Sequence, residues 1–103
     1  MDTCVNEIAN RYADLIKDRF HCKEIYLYGS YARGNANLNS DIDIAVIIDP
    51  IDNENYMKLF GKLFSFAVEI DDRIEPNLLI DYGDYDKYSF LSEVKETGLR
   101  IYF

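Results

Sequence analysis

The chain is poor in the features that would mark a membrane, a secretory route or a nucleic-acid surface. It has no run of 18 apolar residues, so no segment is expected to cross a bilayer as a helix. Its first residues, Met-Asp-Thr-Cys-Val-Asn-Glu, do not place a basic region before an apolar one. No secretory signal is therefore expected, and the cytoplasm is the default location. Bases are scarce, with 11 Lys and Arg against 19 Asp and Glu and a formal net charge of −8. Such a surface is not expected to grip nucleic acid directly, because phosphate contacts need Lys and Arg. It leaves a nucleotide substrate open, because a metal-bound nucleotide brings its own cations. There are two cysteines, Cys4 and Cys22, and one histidine, His21. A helical path between the cysteines would hold them roughly 27 Å apart, well beyond the about 7 Å that a disulfide spans. Two free thiols in a reducing compartment are expected. His21 has no metal-type spacing to other ligands, and its place between a helix and a strand favours a turn or partial burial.

What is present reads as one α/β domain over residues 1–103. Apolar residues make up 49% and aromatics 15%, enough for a single core, and there is no linker, repeat or low-complexity tract. Val5, Ile8, Ala9, Tyr12, Leu15 and Ile16 recur at helical spacing, predicting a helix over 3–19 capped by Asp2 or Thr3. Residues 23–28 predict a strand ending at Gly29, 30–35 a short helix, and 35–39 a turn. Asp41–Asp49 predicts a second strand with Ile42, Ile44, Val46 and Ile48 on one face. Ala45 and Ile47 make its far end apolar on both faces, so burial on both sides is expected. A second long helix is predicted over 53–70, with Tyr56, Leu59, Phe60, Leu63, Phe64 and Ala67 on one side. Residues 74–80 predict a third strand whose Pro76 points to a sheet edge or a bulge. A third helix follows over 87–97, closed by Gly98 as a residue that tolerates positive φ, and then a short strand over 99–103. Helices flanking a small sheet in two or three layers are the expected architecture.

The segment from Gly29 to Asp43 carries the chemistry. Gly29-Ser30 falls where a strand gives way to a helix, and a helix N-terminus offers unpaired N–H groups to phosphate. The same pair would serve as an ordinary turn with Ser30 as a cap. Asp41 and Asp43, two apart at the start of a strand, fall on one face. Side-by-side acids are costly without a cation, and Asp is depleted in strands. Asp41 could instead end a loop, and Asp43 could pair with Arg33 or Arg73. Two ions about 3.5–4 Å apart could share the two carboxylates in phosphoryl transfer. A third acid would complete the oxygen set. Glu75, Asp71 and Asp72 are candidates, with Glu75 preferred because it lies in the third strand.

Gly29-Ser30-Tyr-Ala-Arg33-Gly, followed by Ser40-Asp41-Ile-Asp43-Ile-Ala-Val, resembles the signature of the minimal nucleotidyltransferases of the polymerase β superfamily. The resemblance covers nearly the whole chain. It implies a small mixed β-sheet flanked by helices (α/β, or α+β), two Mg²⁺ ions, and ATP as substrate. Asp41, Asp43 and Glu75 are implied as metal-binding and catalytic residues, and Gly29, Ser30, Arg33 and Ser40 as nucleotide-binding ones. The family's usual third acid is Asp, so Glu75 departs from the pattern. Members of this group resemble antitoxins that add AMP to a tyrosine of a helical RNase toxin of the HEPN type. The same activity, with that partner, is the expectation here; oligomerisation is left open. Neutralisation by occlusion without catalysis, or transfer to a small molecule, are the alternatives.

Overall fold

Among the described residues, four strands form a mixed sheet in the order β3-β2-β1-β4, with two helices on one face and one on the other. The computed structural model describes residues 3–29, 41–83 and 86–102. The predicted short helix over 30–35 and turn over 35–39 lie outside these residues, as do Ser30, Arg33, Ser40 and the capping candidate Asp2. The elements run α1 (Thr3–Arg19), β1 (Glu24–Tyr28), β2 (Ile42–Ile48), α2 (Asn53–Ile70), β3 (Ile74–Ile80), α3 (Phe90–Thr97) and β4 (Leu99–Tyr102). Among the described residues no helix is long and apolar enough to cross a membrane.

The alternation of β2 decides which face does what. Ile42, Ile44, Val46 and Ile48 face α1 and α2 and are buried with Val5, Ala9, Tyr12, Ile16, Leu63 and Ala67. Ala45 and Ile47 face the other way, onto Leu91 and Val94 of α3. β2 is thus apolar on both faces because it is covered on both, as a central strand must be. The Tyr12 hydroxyl crosses the main core and donates to the Leu63 carbonyl at 2.7 Å, fixing α1 against α2. Phe64, expected among the inward residues of α2, is 40% exposed and lies against Phe60 instead. Its position rotates away from the axis through Leu63 and Ala67, which point inward.

β3 is an edge strand, as Pro76 required. The Asp81 N–H donates to the Ile48 carbonyl across the β2 side. Alternation by two then turns the Pro76 nitrogen outward, where no ladder bond is lost. α3 starts at Phe90, three residues later than the sequence predicts, because Ser89 caps it by accepting from the Ser92 N–H. Gly98 does not take a positive φ; its φ is −79° and the chain runs straight from α3 into β4. Glycine is needed there for space, since an added Cβ would lie 2.6 Å from the Val94 carbonyl oxygen.

α3 is tied to the sheet by charge at the end remote from Gly29. Lys95 Nζ lies 3.2 Å from both Asp81 and Glu24, and Lys23 reaches the same Asp81 carboxylate at 3.4 Å. Burial alone would lower the Lys95 pKa, but these two acids overcome it and raise it. Cys22 is a buried free thiol, its pKa raised by desolvation. His21 is not partly buried; its ring is 89% exposed and faces Asp49 at 3.9 Å.

Candidate active site

The sheet register brings the predicted acids together. In the parallel pairing of β2 and β3, Asp43 stands opposite Glu75. In the antiparallel pairing of β1 and β2, Asp43 also stands opposite Tyr28. Glu75, Asp43 and Tyr28 therefore form one row across three strands, each neighbour about 4.8 Å apart along the sheet. Asp41 adjoins the row from just before β2, near enough to Glu75 for the two carboxyls to share a proton. Proton sharing with Asp41, with burial and the charges of Asp41 and Asp43, raises the Glu75 pKa. Among the described residues, the charged groups that act on Glu75 are Asp41 and Asp43, so this corner of the sheet favours a proton or a cation.

Gly29 follows β1 with φ +74°, a conformation that glycine adopts without strain. A Cβ there would run into the Asp43 carboxylate. The turn backbone thus lies directly against the central acid, and only glycine permits that approach. The predicted phosphate turn and the predicted metal pair meet at this contact. Ser30, Arg33 and Ser40, the other nucleotide-binding candidates, fall outside the described residues.

The other two candidates for the third acid are placed elsewhere. Asp71 caps the end of α2 and accepts from the Arg73 side chain at 3.1 and 3.2 Å and from its backbone N–H at 2.9 Å. The Arg73 hydrogen bonds hold the Asp71 pKa below the usual carboxylate range. Asp72 lies in the turn before β3. Neither stands in the row with Asp43.

Hard oxygen donors at Asp41, Asp43 and Glu75 suit a small divalent cation such as Mg²⁺. Among the described residues, no three His, Cys, Asp or Glu side chains are already drawn together as a metal-holding group. Backbone register sets the row, and side-chain rotation at exposed Asp41 and Glu75 would have to complete it.

Residues beyond the sequence reading also line the site. Tyr28 is turned across Ala45, and its hydroxyl accepts from Asn77 Nδ2 at 2.8 Å. Desolvation raises the Tyr28 pKa; the Asn77 bond opposes this, while the Asp43 and Glu75 charges add to it. Between Tyr28 and α3 a cleft of about 240 Å³ opens beside Gly29 and Asp43, with Phe90, Glu93 and Thr97 on its helix side. The recoverable signal for these three was their i, i+3, i+7 spacing, which puts them on one helix face.

Comparisons with known proteins identify the family and the fold. Residues 10–102 match the family model "Polymerase beta, Nucleotidyltransferase". The Methanocaldococcus jannaschii protein MJ0604 is 33% identical over 99 residues, covering 95% of this chain and 90% of that one. The protein adenylyltransferase MntA of Thermococcus cleftensis is 29% identical over 96 residues, covering 93% and 87%. Some matches are local: the chain spans less than half of the Shewanella oneidensis MntA, which it matches at 43% identity over 58 residues, 54% of this chain and 42% of that one. Among solved structures, a crystal structure of a toxin–antitoxin with AMP-PNP superposes with a TM-score of 0.60 at 30% identity, covering 91% of this chain and 72% of the other.

Proposed function

Because this chain belongs to the polymerase β nucleotidyltransferase family, we propose that it transfers AMP from ATP to a hydroxyl of a partner protein, a tyrosine of a helical HEPN-type toxin, and so acts as an antitoxin. The observation that carries the proposal is the cross-strand pairing of Asp43 with Glu75, with Asp41 just before β2. The names of the relatives support the nature of the reaction and of the partner: one is a protein adenylyltransferase and one solved neighbour is a toxin–antitoxin with AMP-PNP.

In this reading Asp41, Asp43 and Glu75 would hold two Mg²⁺ ions. Bound there, the ions would neutralise charge on the phosphates and acidify the attacking hydroxyl. Gly29 lets the backbone after β1 lie against Asp43, and Ser30, Arg33 and Ser40 are the further residues that would bind the nucleotide. The acceptor hydroxyl gives up its proton to water, its oxygen forms a bond to the α-phosphorus, the bond from that phosphorus to the α–β bridging oxygen breaks, and pyrophosphate leaves. Glu75 is exposed on an edge strand, so an acceptor carried by another molecule can reach that end of the row. A net charge of −8 suits docking to a basic RNA-binding partner.

The test is incubation with Mg²⁺, the partner and ATP labelled at the α-phosphorus. Label on the partner is expected, lost when its acceptor tyrosine becomes phenylalanine. A partner that is neutralised without label would show occlusion instead.

A further inference from the structure

The outer face of α2 is apolar where a solvent-facing helix is polar. Met57 and Val68 are each 68% exposed, and Phe64 is exposed between them. Met57, Gly61, Phe64 and Val68 follow one another at spacings of four, three and four, so they share one face over roughly 16 Å of helix. The Phe60 ring backs that of Phe64 at 5.2 Å. Gly61 makes a notch in the stripe. A Cβ there would meet nothing within 4 Å among the described residues, yet glycine weakens a helix interior relative to alanine. The fold itself does not select this glycine. Its use is the room it leaves for another backbone to come close.

The neighbouring edge of the sheet decides the shape of what fits. At Asn53 the stripe opens into a cleft of about 280 Å³ between Tyr56 and the β3 residues Leu78 and Ile80, with exposed Tyr82 lining it as well. An extended peptide on this flank would have to add to the β3 edge, and that edge is closed to it. The Ile74 N–H is spent on the Asp71 carbonyl at 3.1 Å, Pro76 has no N–H, and the Leu78 carbonyl accepts from the Tyr56 hydroxyl at 2.7 Å. A helix needs no such bonds. Laid along the stripe, it would bring its backbone over Gly61 and put a large apolar side chain into the cleft.

Charge decides whose helix it is. A second copy would bring a further −8 against the −8 of this chain, and surfaces of one sign repel. A basic molecule is attracted, and Lys58 on the flank of the stripe is already held by Glu54 at 3.2 Å. Position agrees with this choice. α2 leads through Asp71, Asp72 and Arg73 into β3, and Glu75 projects from the other face of that edge strand. A molecule seated on α2 therefore reaches the row of acids round the exposed edge.

Resting on the transfer reading, we propose that the outer face of α2 docks the acceptor protein through an amphipathic helix of that protein. Its apolar side lies on Met57, Phe64 and Val68, its backbone crosses at Gly61, and basic residues flank the contact.

The experiment measures AMP transfer to the acceptor protein that takes label from the wild type, varying ATP and acceptor separately, with thermal melting of each variant. Gly61→Leu fills the notch with a better helix former. It is expected to raise the KM for the acceptor at least about tenfold, to leave the KM for ATP within about twofold, and not to lower the melting temperature. The double variant Met57→Ser, Val68→Ser is expected to raise the KM for the acceptor by a similar factor. A KM for the acceptor unchanged in both variants, or a KM for ATP that rises in parallel, overturns the docking assignment alone. In sedimentation the chain by itself is expected to be a monomer. A dimer that Gly61→Leu dissociates would give the face to a second copy and overturn the assignment. A wild-type chain that labels no protein overturns the transfer reading together with it.

Discussion

Glu75 stands directly across from Asp43 in the parallel β2–β3 pairing, like charge facing like charge on adjacent strands. Opposed like charges weaken a sheet by about 0.2–1 kcal/mol. Such an arrangement is expected where the charges serve a bound cation, not the fold. The fold therefore gains when one acid is neutralised, and the reaction loses.

The first prediction follows from that opposition. Glu75→Gln is expected to raise metal-free stability by roughly 0.2–1 kcal/mol in urea denaturation, and to slow AMP transfer by about a hundredfold or more. Asp71→Asn should behave in the opposite way. It removes the charge that faces Arg73 and the Oδ2 acceptor of its Nη2 bond, which costs about 1–3 kcal/mol of stability, and transfer by the folded fraction should stay near wild type. Full transfer by Glu75→Gln would remove Glu75 from the site.

Gly29→Ala is a second test. The new Cβ meets the Asp43 carboxylate at a φ of +74°. Both the backbone conformation and the position of the acid are disturbed, so nucleotide transfer should fall by at least about tenfold and stability by about 1–2 kcal/mol. Wild-type transfer rates in this variant would show that the close approach is dispensable.

Gly98→Ala separates space from conformation. Its φ of −79° suits any residue, yet a Cβ would lie 2.6 Å from the Val94 carbonyl oxygen and 3.2 Å from that of Leu27. The end of α3 or the start of β4 must shift, with an expected loss of about 1–3 kcal/mol on denaturant unfolding. An unchanged midpoint would show that the junction yields freely.

The dependence of stability on pH follows from the charge cluster under α3. The N–H of Gly83, with Lys95 and Lys23, lowers the Asp81 pKa against the effect of burial, and Arg73 lowers that of Asp71. Burial would raise the Glu24 pKa, but bonds from Tyr26 and Lys95 bring it below its usual value. A depressed acid stabilises the fold above its unfolded pKa, about 4, and that stability is lost as pH falls through the lower folded value. Lys95, raised, contributes below its unfolded pKa of about 10.4 and loses that contribution as pH rises through the folded one. Thermal melting should thus give a plateau at neutral pH and a decline below about pH 4, and Asp81→Asn should flatten the decline. A decline of the same size in Asp81→Asn would remove Asp81 from the account.

Much of this was legible in residue order, because local patterns fixed it. The period-two run of β2 gave its two buried faces, and Pro76 gave the edge position of β3. Asp43 stood out by interrupting a strand, with Asp41 two residues before it. What the order alone could not supply was register. Whether Glu75 stands beside Asp43 depends on how α2 returns the chain to lay β3 parallel to β2, a tertiary outcome of packing Leu63 and Ala67 on the sheet. The placement of Tyr28 opposite Asp43 likewise depends on the antiparallel pairing of β1 with β2. At α3 a cap overrode the apolar pattern. Tyr88 extends the helical run on paper, but the Ser89 side chain takes the Ser92 N–H and sets the start at Phe90. At Gly98 the residue type was read as a signal of handedness, whereas crowding by Val94 is what selects it.

The most direct measurement counts α-labelled AMP transferred to the partner protein, with Mg²⁺, by the wild-type chain and by the double variant Asp41→Asn, Asp43→Asn. Label incorporated by the wild type and abolished in the folded double variant is the predicted result. Equal label from both would contradict the account, since it would place the reaction away from the row of acids that the sheet assembles.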